Sequence, residues 1–377
     1  MNELEQTSDT PGVEPGSART GSGADVEDQW DGVERIIALG DLHGDYGGYM
    51  EALQLTGLVD GEGNWAGGSS HFVQIGDIPD RGPDSARIIR HLQKIEPQAI
   101  AAGGRVHALI GNHEVMNMVG QLQYVHPGEY QALRSDSAES LRAAFQQDIR
   151  EGRDCQPVTS LYDYVSRRQR GQRQEVPLGY VEHRSCWGPE GEFGSWVAGN
   201  NTAIRLNNML FVHAGISPRY LGWSLRKINT RIREELLDSE RFSEPVSDDH
   251  RGPLWYRGLA LEDEAVAPDF VDLLLETYGV EYVVIGHTPG YETIVPRYQG
   301  RVLVIDSGIS SFFGGALTVL VMEDGKLFNL QRGRRIAIPD RPDELLDYFR
   351  TVAELEPASV SLRMLISTLE MRGPGQW

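Results

Sequence analysis

Five short apolar runs in this chain end in the same way. Arg35-Ile36-Ile37-Ala38-Leu39 leads into Gly40-Asp41-Leu42-His43-Gly44-Asp45, and Phe72-Val73-Gln74-Ile75 into Gly76-Asp77-Ile78-Pro79-Asp80-Arg81-Gly82. Val106-His107-Ala108-Leu109-Ile110 leads into Gly111-Asn112-His113-Glu114, Met209-Leu210-Phe211-Val212 into His213, and Tyr282-Val283-Val284-Ile285 into Gly286-His287. Runs of this length, bounded by glycine and rich in Val and Ile, read as buried strands. In sheets layered with helices the chemistry sits in loops at the carboxyl ends of the strands. Five strand ends that each deliver Asp, His or Asn describe a metal site, with Asp77 at its centre.

The segments between these runs fit the same scheme. A helix after His43 is expected to turn Tyr49, Leu53 and Leu55 towards the sheet. Pro83-Asp84-Ser85-Ala86 opens another helix, in which Ile88, Ile89, Leu92 and Ile95 recur at three- and four-residue spacing on one face. Alternating strands and helices predict an α/β fold. Residues 1–31, rich in Gly, Ser, Pro, Asp and Glu, bury too little apolar surface to offset the entropy of ordering and read as a disordered acidic tail. From about 118 to 205 the strand rhythm stops. This polar, helix-prone stretch, with an aromatic cluster at Leu161-Tyr162-Asp163-Tyr164-Val165, reads as a helical insertion on the ligand side, either a structural lid or a substrate-selecting cap. Strands are again expected at Val302-Leu303-Val304-Ile305 and over 316–321, with amphipathic helix from Asp343 onwards. The expected organisation is thus a tail (1–31), one catalytic domain (32–335) and a helical extension (336–377).

Charge narrows the function. With 35 basic and 55 acidic residues the net charge is −20, which argues against non-specific nucleic-acid binding, since phosphate backbones recruit positive surface. No apolar run reaches the roughly 18 residues of a membrane span. The amino terminus has neither the basic start nor the apolar stretch of a secretory signal, so the expected compartment is the cytoplasm. Cys155 and Cys186 lack CxxC spacing; reduced thiols are the simpler expectation, and a single bridge the one suited to an exported protein.

Two carboxylates, one amide and three imidazoles, without a thiolate, suit Mn²⁺, Fe or Zn²⁺ and are too rich in nitrogen for Ca²⁺. Six ligands exceed one ion's need. If Asp77 bridges two ions, Asp41 and His43 complete one shell, and Asn112, His213 and His287 the other. Two ions about 3.5–4 Å apart clamp a phosphoryl oxygen and lower the pKa of a bridging water, giving hydroxide at the phosphorus. Arg81 and Arg257, with Asn112, would hold the remaining phosphate oxygens. His113, beside the ligand Asn112, is then assigned as the general acid for the leaving oxygen, and Asp80 as its orienting partner. Asp306 is a candidate support for a ligand or a turn cap, Phe312 and Phe313 for cleft wall or core, and His126 and His250 for positions near the cleft.

These motifs, GDLHG at 40–44, GDIPDRG at 76–82, GNHE at 111–114, His213 in HAG and His287 in GHT, resemble the phosphoprotein phosphatase family of calcineurin-like metallophosphoesterases over about residues 32–330. The resemblance implies a central β-sandwich flanked by helices, a bimetal centre and direct attack by metal-activated hydroxide on a phosphoprotein or phosphopeptide. Gly111–Met118, Pro-Leu-Trp-Tyr-Arg-Gly at 253–258 and Ile305-Asp306-Ser307-Gly308 look most like the bacterial-type Shewanella-like phosphatases. Pro79 stands where the family usually has Val, Ala214 where eukaryotic enzymes have a second Gly, and the eukaryotic toxin-contacting loop is missing. Regulatory subunits and inhibitor sensitivity therefore do not carry over. Two other readings use the same residues: a dinucleoside polyphosphate or nucleotide hydrolase, with a base-binding pocket in the 120–205 stretch to which Arg167, Arg168, Arg170 and Arg173 supply contacts, and a phosphoprotein-binding scaffold without turnover.

Overall fold

A computed structural model describes residues 26–151, 176–238, 241–262, 264 and 268–372. Two six-stranded sheets face each other. The first runs β12-β11-β10-β2-β3-β4, with β2 Arg35–Leu39, β3 His71–Gln74, β4 Arg105–Ala108, β10 Thr318–Glu323, β11 Lys326–Gln331 and β12 Arg334–Ala337. The second runs β1-β5-β6-β7-β9-β8, with β1 Gln29–Trp30, β5 Ala203–Leu206, β6 Met209–Val212, β7 Tyr282–Ile285, β8 Val295–Arg297 and β9 Val302–Val304. Strands β2, β3 and β4 are mutually parallel, as are β6, β7 and β9, so each trio presents its carboxyl ends together. Ile36, Ala38, Val73, Ile75, Phe211, Val284, Leu303 and Leu320 fill the space between the sheets.

The outer faces are covered by helices, which explains why β3 and β6 are apolar on both sides and buried throughout. Helices α1 (Tyr46–Leu55) and α2 (Ser85–Ala101) cover the first sheet, and Ile88, Ile89, Leu92 and Ile95 are all buried as their spacing requires. Each such side chain contributes roughly 1.5–3 kcal/mol by leaving water. Leu55 departs from expectation. It is the last residue of α1 and is 46% exposed, while Tyr49, Ala52 and Leu53 make the contact. Next come α3 (Asn112–Val119), α4 (Pro127–Leu133), α5 (Ala138–Glu151), α6 (Tyr180–Trp187), α7 (Glu192–Ala198) and α8 (Leu225–Leu237). Then follow α9 (Gly258–Leu261), α10 (Pro268–Tyr278), α11 (Leu345–Leu355) and α12 (Val360–Arg372).

Helices α4 to α7 make up the described part of the insertion; Cys155, the aromatic cluster at 161–165 and the arginines at 167–173 lie outside the described residues. Residues 1–25 lie outside them too, but Gln29–Trp30, within the expected tail, pair with Arg205–Leu206. Strand β12 runs through the boundary expected at 335, and the extension beyond it is joined to the sheet by buried polar bonds. Asn329 Nδ2 donates to the Tyr348 hydroxyl (2.9 Å), and Gln331 Nε2 to Glu356 Oε1 (2.7 Å). Among the described residues no helix is long and apolar enough to cross a membrane.

Candidate metal centre

All the predicted ligands meet where the two strand trios end. The loops that carry them turn sharply: His43, Asp77, Asp80, Arg81 and His287 all have positive φ, between 43° and 74°. Such backbone is costly for residues with a Cβ, is best tolerated by Asp, Asn and His, and clusters at functional sites. It is held here by long-range bonds. The amides of Leu42 and His43 both donate to the Asp77 carbonyl at 3.0 Å. Glu114 accepts from three amides, Gly111 (2.8 Å), Asp77 (2.9 Å) and Ile78 (2.7 Å), and so ties the second loop to the third. Gly111 and Gly286 are required for a different reason: a Cβ at either would collide with the Asp77 or the Asp41 carboxylate, respectively.

The imidazoles are fixed so that one nitrogen faces the centre. His43 Nδ1 donates to the Pro79 carbonyl (3.1 Å) and His213 Nδ1 to the Ile75 carbonyl (3.0 Å). Because a carbonyl only accepts, each ring carries its proton on Nδ1 and leaves Nε2 free for a metal, the usual way a protein sets a ligand tautomer. The departure at Pro79 thus costs nothing, since its carbonyl makes the contact. Two groups of potential ligands have donor atoms all within 4.8 Å of one another: His43, Asp77 and His113, and Asp77, His213 and His287. Asp77 belongs to both. Asn112 Oδ1 lies 3.0 Å from His213 Nε2, beside the second group. Asp41 stands behind it, its carboxylate accepting from the His287 amide (3.0 and 3.2 Å) and bonded to Asp306.

The chemistry of this donor set fits cations. Asp41, Asp77, Glu114 and Asp306 are all buried within one site. Burial, then the charges of Asp306 and Asp77, push the Asp41 carboxyl well up, and burial brings Asp306 to about 6. Burial and the Asp77 charge raise Glu114 to about 7. Burial lowers His43 to about 3 and depresses His287, so both are neutral and able to ligate. His287 Nε2 is a buried atom with no hydrogen-bond partner. Crowded carboxylates, and imidazole nitrogens that face each other with His287 Nδ1 3.2 Å from His213 Nε2, are the arrangement that a pair of dications satisfies.

His113 differs from the other imidazoles. Its Nδ1 meets Asp80 Oδ2 at 2.5 Å, its amide donates to Asp77 Oδ1 (2.9 Å), and its Nε2 points inward, 3.9 Å from Asp77 Oδ2. Against the cost of burial, the charges of Asp77 and Asp80 and the bond to Asp80 raise its pKa. Arg81 is enclosed by three rings, its guanidinium 4.6 Å from the centroid of Tyr124 and 5.1 and 5.2 Å from those of Phe312 and Phe313. Phe313 also lies against His43, at 5.3 Å, so both phenylalanines wall the site rather than the core. Arg257 Nη1 donates to the His287 carbonyl (2.6 Å) and Thr288 Oγ1 (3.1 Å), which places it at the edge of the fifth loop.

Sequence reasoning missed several supports. Glu114 carried a signal, since it stands inside the third motif. Asn117 stands in the same Gly111–Met118 run, whereas Tyr124, Glu129 and Arg184 carried none, because their partners are far along the chain. His126 Nδ1 caps α4 by accepting from the Gly128 amide at 3.0 Å. His250 lies against the Trp255 ring, which also lies against His287, with ring centroids 6.2 and 5.8 Å apart, respectively.

Residues 34–291 match the calcineurin-like phosphoesterases, and the chain belongs to that family: it is a metallophosphoesterase, a hydrolase. Within the family it is similar to Shewanella-like phosphatases. Shewanella-like protein phosphatase 2 of Arabidopsis thaliana is 26% identical over 291 residues, 76% of this chain and 74% of its own length. An uncharacterised protein of Schizosaccharomyces pombe is 31% identical over 294 residues, 76% of each chain. The crystal structure of the cold-active protein-tyrosine phosphatase of a psychrophilic Shewanella species matches with a TM-score of 0.63 and 27% identity, over 83% of this chain and 82% of that one.

Proposed function

We propose that this chain is a metal-dependent phosphatase that removes the phosphoryl group from phosphoprotein side chains, with a mouth suited to phosphotyrosine. The observation that carries this reading is the setting of Arg81, a cation beside the ligand loops whose walls are Tyr124, Phe312 and Phe313. Tyr124 and Phe312 are 42% and 59% exposed, an apolar rim against which an aromatic leaving group can lie while the guanidinium holds phosphate oxygens. The likeness to a solved protein-tyrosine phosphatase points the same way.

In this reading Asp41, His43, Asp77, Asn112, His213 and His287 would hold two ions, Mn²⁺, Fe or Zn²⁺, Asp77 being the residue common to both ligand groups. Bound there, the ions supply an activated water and the positive charge that draws in the phosphoryl oxygens. Arg81, Arg257 and Asn112 orient the phosphate. His113 carries a proton on Nε2, kept in place by the Asp80 carboxylate on Nδ1, and gives it to the leaving oxygen. The test is phosphate release by manganese-loaded protein from matched phosphotyrosine, phosphothreonine and phosphoserine peptides and from a dinucleoside polyphosphate. Release is expected from the peptides, fastest from phosphotyrosine, and is lost on chelation. Release from the dinucleotide alone, or from none of them, would overturn the reading.

A further inference from the structure

The acid pair is held from outside its own loops. Asp80 sits at φ 74°, and its amide donates to Glu129 Oε1 on α4 at 2.9 Å. Its Oδ1 accepts from Asn117 Nδ2 (3.0 Å), and the same Nδ2 reaches the His113 carbonyl (3.0 Å). The carbonyls that end α3, those of Asn117 and Met118, are both taken by the buried guanidinium of Arg184 on α6. One position further along the Asp80 loop, the Arg81 amide donates to the Tyr124 carbonyl at 2.9 Å. Both members of the pair are therefore anchored by residues of, or next to, the helical insertion.

We propose that the insertion positions the acid: Glu129 fixes the left-handed turn at Asp80, Arg184 fixes the end of α3, and together they hold His113 and Asp80 in register. Glu129 does this through one carboxyl oxygen, Oε1, which accepts from the Asp80 amide. It is buried, and desolvation together with the Asp80 charge pushes its carboxyl well up. His183, fully buried 3.9 Å from Glu129 Oε2, is itself driven down to about 3 by burial and supplies no balancing charge. The expected lid or cap is thereby given a third role, that of a brace.

This inference rests on the phosphatase reading above, and its test separates the two. Metal-loaded, full-length wild type, Glu129→Gln and Glu129→Ala are compared on para-nitrophenyl phosphate, whose leaving group needs little protonation, and on a phosphoserine peptide, whose alkoxide leaving group needs it most. Glu129→Ala is expected to lose turnover of the phosphoserine peptide by about 10²-fold, the lower end of what a general acid contributes, and at least tenfold more than on the aryl ester. Glu129→Gln, which keeps the shape and an oxygen to accept from the Asp80 amide, is expected to keep the wild-type ratio. The far-downfield proton resonance of a His113 Nδ1–H bonded to Asp80 should persist in Glu129→Gln and vanish in Glu129→Ala. Equal losses of Glu129→Ala on both esters, or a Gln variant as impaired as Ala, would overturn the positioning role while leaving the phosphatase reading intact. A wild type inert towards both esters would overturn both.

Discussion

Asp77→Asn is expected to lose both metal ions and at least about a thousandfold in turnover, equivalent to roughly 4 kcal/mol of barrier. Asp77 is the residue common to the two ligand groups, with Oδ1 3.4 Å from His213 Nε2 and Oδ2 3.9 Å from His43 Nε2. The substitution removes one charge and one ligating oxygen but little else. Asparagine tolerates the left-handed backbone that the position adopts at φ 56° and retains a carbonyl oxygen to accept from the His113 amide. Loss of function would therefore report on the ligand and not on the fold. The check is metal content after gel filtration alongside phosphate release; a variant that keeps two ions and near-native turnover contradicts the assignment.

His113→Asn is expected to do something different: keep both ions while losing about 10²–10⁴-fold on alkyl phosphates, the range of a general acid, and much less on aryl phosphates. The expectation follows from its bonding. His113 lies close enough to His43 and Asp77 to be counted with them as a ligand, but its Nδ1 is committed to a carboxylate at 2.5 Å, and Asp77 and Asp80 together favour its protonated form. A protonated imidazole donates and does not ligate. Metal loss in the variant, or equal loss on aryl and alkyl esters, would make His113 a ligand instead.

The loops that carry the candidate ligands were legible because each is local: a buried apolar run, a glycine, then a polar residue, with the parallel strand order needed only to bring the ends together. Asp41, His43, Asp77, Asn112, His213 and His287 could be named without knowing which strands pair. Polar strands were harder to see. Residues Lys326–Gln331 and Arg334–Ala337 alternate weakly and carry charge, and they form β11 and β12 because β10 offers an edge to pair with. The supports Glu129 and Arg184 were invisible for a related reason. Glu129 lies 49 residues from the Asp80 amide that it accepts, and Arg184 lies 67 from the Asn117 carbonyl that it grips. Nothing local distinguishes either from the many acidic and basic residues of a polar insertion. Leu55 shows the opposite error: two residues on from Leu53, it stands about 200° round α1 from the buried Tyr49-Ala52-Leu53 stripe and faces solvent.

The most direct test of a two-metal centre organised by Asp77 is an anomalous difference map from crystals grown with Mn²⁺. The expected result is two peaks about 3.5–4 Å apart, one on each side of the Asp77 carboxylate, the first within reach of His43 Nε2 and the second of the His213 and His287 rings. A single peak, or two peaks that do not share Asp77, would contradict it.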